Sequence, residues 1–130
     1  MRIDFSSLKP IYIQVADAIE DDIVVGRLLE REAVYSQLTL SKELGINPAT
    51  AAKGINLLVS KGILEKQRGL SMIVAAGAKD RLLGERRDTE IRELTETLVT
   101  VAVKIGLSKD SVLDKISELF DIRERGEKSE

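Results

Sequence analysis

The chain contains no cysteine, no histidine and no tryptophan, and only 3% of its residues are aromatic. The first two absences exclude disulfide bonds, thiolate nucleophiles, histidine-based catalytic machinery and metal sites with cysteine or histidine ligands. The scarcity of aromatic residues means that a hydrophobic core must be built from aliphatic side chains. We therefore predict no metal ion, no cofactor and no enzymatic activity.

Long apolar runs are also missing. No stretch approaches the length that crosses a membrane, and the N-terminal sequence MRIDFSSLKP lacks the apolar centre of a signal peptide. The predicted location is cytoplasmic, with no membrane partner. A length of 130 residues suits one compact domain, or a small domain plus an element that completes its core in a partner.

The charge is distributed unevenly around a net value of −2. Residues 42–68 carry five Lys or Arg against two Glu, a local charge of +3, whereas residues 17–32 carry six acidic residues against two Arg, a local charge of −4. For a nucleic-acid-binding protein this distribution matters more than the sum. The middle of the chain is its basic part.

Four carboxylates cluster early in the chain: Asp17, Glu20, Asp21 and Asp22. A hydrolase that uses carboxylates needs two of them on either side of a pocket, and no spacing in this sequence indicates such a pair. We interpret the cluster as the solvated face of a helix.

Helical spacing and capping residues predict three helices in the first half of the chain. Apolar residues after Pro10 predict a helix over about residues 10–25. Ser36 is the expected cap of a short helix over about 37–44 that Gly45 stops. Asn47 and Pro48 start a third helix, in which Asn47 accepts a hydrogen bond from the backbone of Ala49 or Thr50, and which ends at Gly62.

Two β-capable runs, ILEKQ and LSMIVAA, follow this helix and are separated by Arg68-Gly69, which predicts a hairpin with a basic tip. The predicted fold class is mainly α with a small β-hairpin, namely a winged helix-turn-helix domain over residues 8–76. A linker of small residues over 75–78 leads to a C-terminal helical region over residues 79–125.

The third helix has the pattern of a DNA recognition helix. Its core face carries Ala51, Ile55 and Leu58, while Thr50 is placed to bind a phosphate or base edge, Ala49 a thymine methyl, and Lys53 a phosphate or guanine. Further contacts are predicted from the hairpin tip and from the start of the second helix, at Lys66, Gln67, Arg68, Gly69, Ser36, Gln37 and Thr39. For each residue the alternative is an ordinary capping or surface role.

The C-terminal region is predicted to contain two helices, the second of them capped by Ser108. The first carries apolar residues at alternating three- and four-residue steps, which define an apolar seam: Ile91, Leu94, Leu98, Val101 and Ile105. The second carries an apolar face that includes Ile116, Leu119 and Phe120. We predict that these residues form a homodimer interface, and the alternative is that the two helices fold back onto their own winged helix.

At these motifs the chain resembles the GntR family of bacterial transcription regulators, in the YtrA branch. The resemblance covers residues 8–76 and rests on the runs from Pro10 to Val15, from Leu40 to Lys53 and from Gly62 to Glu65, and on Arg68-Gly69. It implies a homodimer that binds double-stranded DNA at a palindromic operator and represses a nearby operon, often one encoding ABC transporter components. The C-terminal helices of that branch serve dimerisation.

The family's DNA contacts carry over to Thr50, Lys53, Arg68 and Gly69, and also to Ser36, Asn47 and Ala49. Three departures are visible. Tyr35 stands where the family often has proline, Leu38 where it often has arginine, and Ser71-Met72 where the wing commonly has glycine and threonine. A small-molecule effector between the C-terminal helices is compatible with this organisation, but no residue pattern identifies it. The alternative function is a winged-helix protein-interaction module that uses its acidic first helix and binds no DNA.

Overall fold

The computed structural model describes residues 1–69 and 71–128, and the chain forms two compact units, residues 1–85 and 86–130. The described part of the first unit contains helices α1 (Ile11–Val24), α2 (Gln37–Leu44), α3 (Pro48–Ser60) and α4 (Ala78–Glu85), with strands β1 (Leu64–Lys66) and β2 (Met72–Val74). The second begins with a π-helical turn (Arg86–Glu90), followed by α5 (Ile91–Lys104) and α6 (Lys109–Lys128). Within the described ranges, every helix is too short or too polar to span a membrane.

The predicted capping residues start α2 and α3 in the first unit. The Ser36 side chain accepts a hydrogen bond from the Thr39 backbone N–H at 3.1 Å, and Gly45 ends α2 in the left-handed conformation with φ +66°. The Asn47 side chain accepts from the Ala49 backbone N–H at 2.8 Å, with Pro48 in the first turn of α3. The three helices predicted in this half of the chain are therefore confirmed.

An aliphatic core holds the first unit together, as the composition predicts. Its fully buried members come from α1, α2, α3, β1, β2 and α4, and include Val15, Ile19, Ile23, Leu40, Leu58, Ile63, Leu64, Val74 and Leu82. Helices α1 and α3 approach closely at Gly54, where a Cβ would lie 2.8 Å from the Tyr12 carbonyl oxygen and 2.9 Å from the Val15 Cβ. Such distances are shorter than van der Waals contact, so glycine sets the spacing of these two helices.

The wing is an antiparallel hairpin in which Leu64 pairs with Val74 and Lys66 with Met72. A third extended segment, residues 32–34, lies along β2: the Val34 N–H donates to the Met72 carbonyl, and the Val74 N–H donates to the Glu32 carbonyl. This pairing is not predicted from the sequence, because the backbone hydrogen bonds leave the charged side chain of Glu32 exposed.

The linker predicted over residues 75–78 is wrong. Ala75 and Ala78 are buried in the core, and α4 begins directly at Ala78 and buries Leu82 against it. Small residues suit a flexible connection, but they also suit a tight return of the chain onto a core. The first compact unit accordingly runs to Glu85, past the predicted domain end at residue 76, and the second begins at Arg86, later than the predicted residue 79.

The acidic cluster on α1 is only partly a solvated face. Glu20 and Asp22 are buried, with 8% and 9% of their surface exposed, and this part of the prediction is wrong. Glu20 pairs with Lys61 at 3.3 Å, and Asp22 with Arg27 at 3.3 Å. Burial raises the pKa of the Glu20 carboxyl, and the ammonium of Lys61 partly opposes that rise.

The second unit contains two α-helices with little burial of their own. Ser108 caps α6 as predicted, because its hydroxyl accepts a hydrogen bond from the Ser111 backbone N–H at 3.2 Å. Helix α6 continues to Lys128, past the predicted end of this region at residue 125. Among residues 86–126 only Ala102 is buried.

Candidate nucleic-acid interface

Helix α3 has two chemically different faces. Ala51, Ile55 and Leu58 are buried against the core, with at most 5% of their surface exposed. On the other side Ala49 and Lys53 are exposed, and Thr50 is half-buried. The division of the helix into a core face and a free face is as predicted, and the free face begins in the first turn.

The turn before α3 is as short as a helix-turn-helix requires. Only residues 45–47 separate α2 from α3. The Ile46 N–H donates to the Ser41 carbonyl at 3.0 Å, and the half-buried Ile46 side chain packs against the core. The chain therefore turns sharply between two capped helices, and the N-terminal end of α3 stays accessible.

The start of α2 presents a set of small polar groups. The Ser36 hydroxyl donates to the Thr39 hydroxyl at 3.0 Å and accepts from its backbone N–H, so the capping role of Ser36 is confirmed. Gln37 is exposed beside it. The N–H groups of a first helical turn lack partners within the helix, and the helix dipole gives this end a partial positive charge. This is a chemistry that suits a phosphate oxygen.

Leu38 replaces the arginine that the family often has, and its side chain is 59% exposed. The next cation on this helix is Lys42, which is exposed four residues later. Residues four apart lie on the same side of a helix. Lys42 is a candidate DNA-contacting residue that was not predicted from the sequence. The feature that could have indicated it is its position four residues after Leu38.

The wing carries its charge at the tip. Lys66, Arg68 and Gly69 are exposed and Gln67 is half-buried. Gly69 adopts φ +73°, a conformation that side chains rarely allow. Glu65 forms an ion pair with Arg31 at 3.2 Å, which offsets its negative charge next to Lys66. The departure at Ser71-Met72 places Met72 in β2, where it pairs with Lys66.

Lys53 lies over an aromatic ring that sequence reasoning did not connect with it. Its Nζ atom is 4.1 Å from the centroid of the Tyr12 ring, on α1. The two residues are far apart in sequence, and the only local signal is Gly54, which allows α1 to approach α3 at this point. Tyr12 is therefore an additional residue of the candidate interface.

The structure brings the predicted DNA-binding residues into one compact unit, on three of its elements. Ser36 and Gln37 lie at the start of α2, Asn47, Ala49, Thr50 and Lys53 at the start of α3, and Lys66, Arg68 and Gly69 on the wing. The predicted dimerisation residues all belong to the other unit.

The chain is similar to known regulators over most of its length, although no protein-family model matches it. The structure of YtrA from Sulfolobus acidocaldarius, a GntR-family transcription factor, superposes with a TM-score of 0.56 and 27% identity, covering 93% of this chain and 97% of that one. The HTH-type transcriptional regulator YhcF of Bacillus subtilis is 31% identical over 116 residues, which cover 89% of this chain and 94% of that protein. The chain belongs to the GntR family. The resemblance seen in the sequence is thereby confirmed.

A further solved structure that is similar to this chain contains operator DNA. It is AraR(DBD) in complex with operator ORX1, which superposes with a TM-score of 0.53 and 28% identity. The superposition covers 58% of this GntR-family chain and 95% of the AraR chain. The winged helix-turn-helix fold of the first unit is thus the fold of a family of transcriptional regulators.

Proposed function

We propose that this GntR-family chain is a homodimeric, sequence-specific DNA-binding repressor that acts in the cytoplasm through a palindromic operator. The observation that supports it best is the capped start of α3, which leaves Ala49, Thr50 and Lys53 accessible beside a tight turn. A recognition helix enters the major groove with this end, where small residues allow close approach to base edges. The similarity to AraR in complex with its operator supports the same conclusion.

Each element of the interface has a distinct role in this proposal. Thr50 and Lys53 bind base edges or phosphates in the major groove, and Ala49 packs against a thymine methyl. The start of α2 binds a phosphate through Gln37 and the backbone next to Ser36. Arg68 and Lys66 place two cations of the wing against the backbone or the minor groove, and Gly69 allows the tip to approach closely.

A second copy of the chain is proposed to cover the apolar seam on α5. The five seam residues have between 40% and 68% of their surface exposed, and Leu119 and Phe120 of α6 are 62% and 64% exposed. Exposed apolar surface of this extent marks an interaction site, and a two-fold contact lets the same seam serve both subunits. The dimer presents two recognition helices, which a palindromic operator matches.

Repression of a nearby operon, including one for ABC transporter components, remains part of the proposal on the strength of the family resemblance. A small-molecule effector that binds between the C-terminal helices is a further part of the proposal. A screen of metabolites for thermal stabilisation tests this point, since a ligand of the folded state raises the melting temperature. The absence of any stabilising metabolite in a broad panel would indicate a repressor without an effector.

The alternative, a protein-interaction module that uses the acidic face of α1, has less support. Glu20 and Asp22 are buried in ion pairs, and Asp17 pairs with Lys9 at 2.8 Å. Most of the negative charge of this face is therefore already matched within the chain. Salt dependence separates the two functions, because DNA affinity falls steeply as salt rises.

The test begins with selection of bound fragments from the source genome by the full chain. Affinity for a selected fragment is then measured for a Lys53→Ala plus Arg68→Ala variant. We expect this variant to stay folded and dimeric and to lose about tenfold to a hundredfold in affinity.

The matched control is Arg2→Ala plus Lys79→Ala, which removes the same charge from two exposed positions outside the proposed interface. We expect it to bind within about twofold of the unchanged chain. Equal losses in both variants would mean that only overall charge matters, and no loss in the first would overturn the assignment of Lys53 and Arg68.

A further inference from the structure

The close crossing of α1 and α3 at Gly54 has a direct effect on its neighbour Lys53. Because Gly54 has no side chain, the backbone of α1 at Tyr12 lies against α3, within 2.8 Å of where a Cβ would be. The Tyr12 ring is thereby brought next to the Lys53 side chain, on the free face of the recognition helix. The position of this ring depends on helix packing and not on the flexible lysine.

The contact itself is a cation–π interaction. The Lys53 Nζ lies 4.1 Å from the ring centroid, well within the range of about 6 Å over which the negative face of an aromatic ring attracts a cation. The ring belongs to a half-buried residue, whereas Lys53 is exposed. The Tyr12 ring therefore restrains the Lys53 side chain, which would otherwise sample many rotamers.

We propose that Tyr12 is a positioning residue for Lys53: its ring holds the ammonium at the recognition helix before DNA arrives. Ordering a free lysine at an interface costs conformational entropy. A lysine that is already restrained loses less freedom on binding, so the complex is tighter. This inference rests on the proposed DNA contact of Lys53.

A double-mutant cycle on the full chain tests the proposal, with the selected genomic duplex as the probe. Tyr12→Leu should weaken binding about three- to fivefold, because it removes the aromatic face. Tyr12→Phe keeps that face and should bind like the unchanged chain. In a Lys53→Met background, Tyr12→Leu should have no further effect, since the group that it positions is gone.

The salt dependence of binding provides a second measurement. Lys53→Met should lower the slope of log affinity against log salt by about one, because one phosphate or base contact with a cation is lost. Tyr12→Leu keeps the cation and should leave that slope unchanged. A general structural defect is distinguished by the double-mutant cycle, because it would weaken binding in the Lys53→Met background as well. Tyr12→Met is the second ring-free variant, in case the leucine variant does not fold.

Three results separate failure of this inference from failure of the proposed function. If Lys53→Met leaves affinity unchanged, the DNA contact assigned to Lys53 is wrong, and the role of Tyr12 falls with it. If Lys53→Met weakens binding but Tyr12→Leu weakens the double variant equally, Tyr12 acts independently of Lys53 and the inference is overturned. If Tyr12→Phe binds as poorly as Tyr12→Leu, the hydroxyl and not the ring is responsible, which also overturns it.

Discussion

The two compact units use the same aliphatic residues in opposite ways. In the first unit Leu58 is fully buried, within a core to which all of its helices contribute. In the second unit Leu98 occupies a regular helix and is 40% exposed. A buried leucine stabilises the unit that contains it, whereas an exposed apolar seam gains stability only when something covers it. This contrast is the basis for proposing that the second unit associates with a second copy of the chain.

The largest effect is expected from a charge in the seam. Leu98→Glu places a carboxylate in the proposed dimer interface of both copies, so we expect dimerisation to weaken by about a thousandfold or more. Analytical ultracentrifugation measures this directly. Unfolding of the first unit should not change, because its core lacks this residue.

Val103→Glu is the matched control for that variant. Val103 lies on the same helix and is 73% exposed, but it is not part of the seam. We expect the dimer to persist. A monomer in this control and a dimer in Leu98→Glu would mean that another face of α5 forms the interface.

A smaller effect is expected at the helix crossing of the first unit. Gly54→Ala forces a Cβ to within 2.9 Å of Val15, and should lower the free energy of unfolding by about 1–3 kcal/mol. Gly84→Ala on α4 meets no atom within 4 Å and should raise it by about 0.5–1 kcal/mol. Chemical denaturation of both variants checks the difference. Equal changes in the free energy of unfolding would show that α1 and α3 can move apart at Gly54 without cost.

A loss of about 1 kcal/mol is expected from Arg81→Met. The Arg81 guanidinium donates to the Gly62 carbonyl at 3.0 Å and to the Lys61 carbonyl at 2.7 Å, and so joins α4 to the C-terminal end of α3. Arg92→Met, at an exposed position of α5, should change the unfolding of the first unit by less than about 0.5 kcal/mol. A comparable loss in both variants would remove the special role of Arg81.

The smallest effect concerns pH. Burial raises the pKa of Glu20 above its ordinary 4.5, so the folded chain holds this proton more tightly than the unfolded chain does. The stability that comes from this tighter proton binding is fully present below the ordinary pKa of Glu20. It is lost as the pH rises through the higher pKa of the folded chain. Glu20→Gln should abolish that part of the slope, as measured by urea midpoints between about pH 4 and about pH 7. If the dependence of stability on pH is unchanged in Glu20→Gln, other titratable groups cause it.

Local signals in the sequence predicted most of the fold. Ser36, Asn47 and Ser108 cap helices through hydrogen bonds to residues two or three positions away, and such contacts are visible in a short window. The division of α3 into two faces follows from helical periodicity in the same way. The apolar seam on α5 was also predicted from the spacing of its residues. The second copy of the chain that covers this seam is a proposal.

Contacts between distant residues account for what the sequence did not predict. Glu20 is buried because Lys61, 41 residues later, reaches it from the end of α3. Ala75 and Ala78 resemble a linker until the core onto which they pack is known. Tyr12 joins the candidate interface only through the helix crossing at Gly54. In each case the residue that makes the contact is distant in sequence. Helical periodicity and capping involve only residues a few positions apart, so they do not reveal such contacts.

The mass of the complex that the unchanged chain forms on a genome-selected duplex tests the central claim most directly. A homodimeric regulator with a palindromic operator predicts two chains on each duplex, with binding that weakens when Leu98→Glu separates the subunits. A complex of one chain per duplex, with the same affinity in the Leu98→Glu monomer, would contradict it.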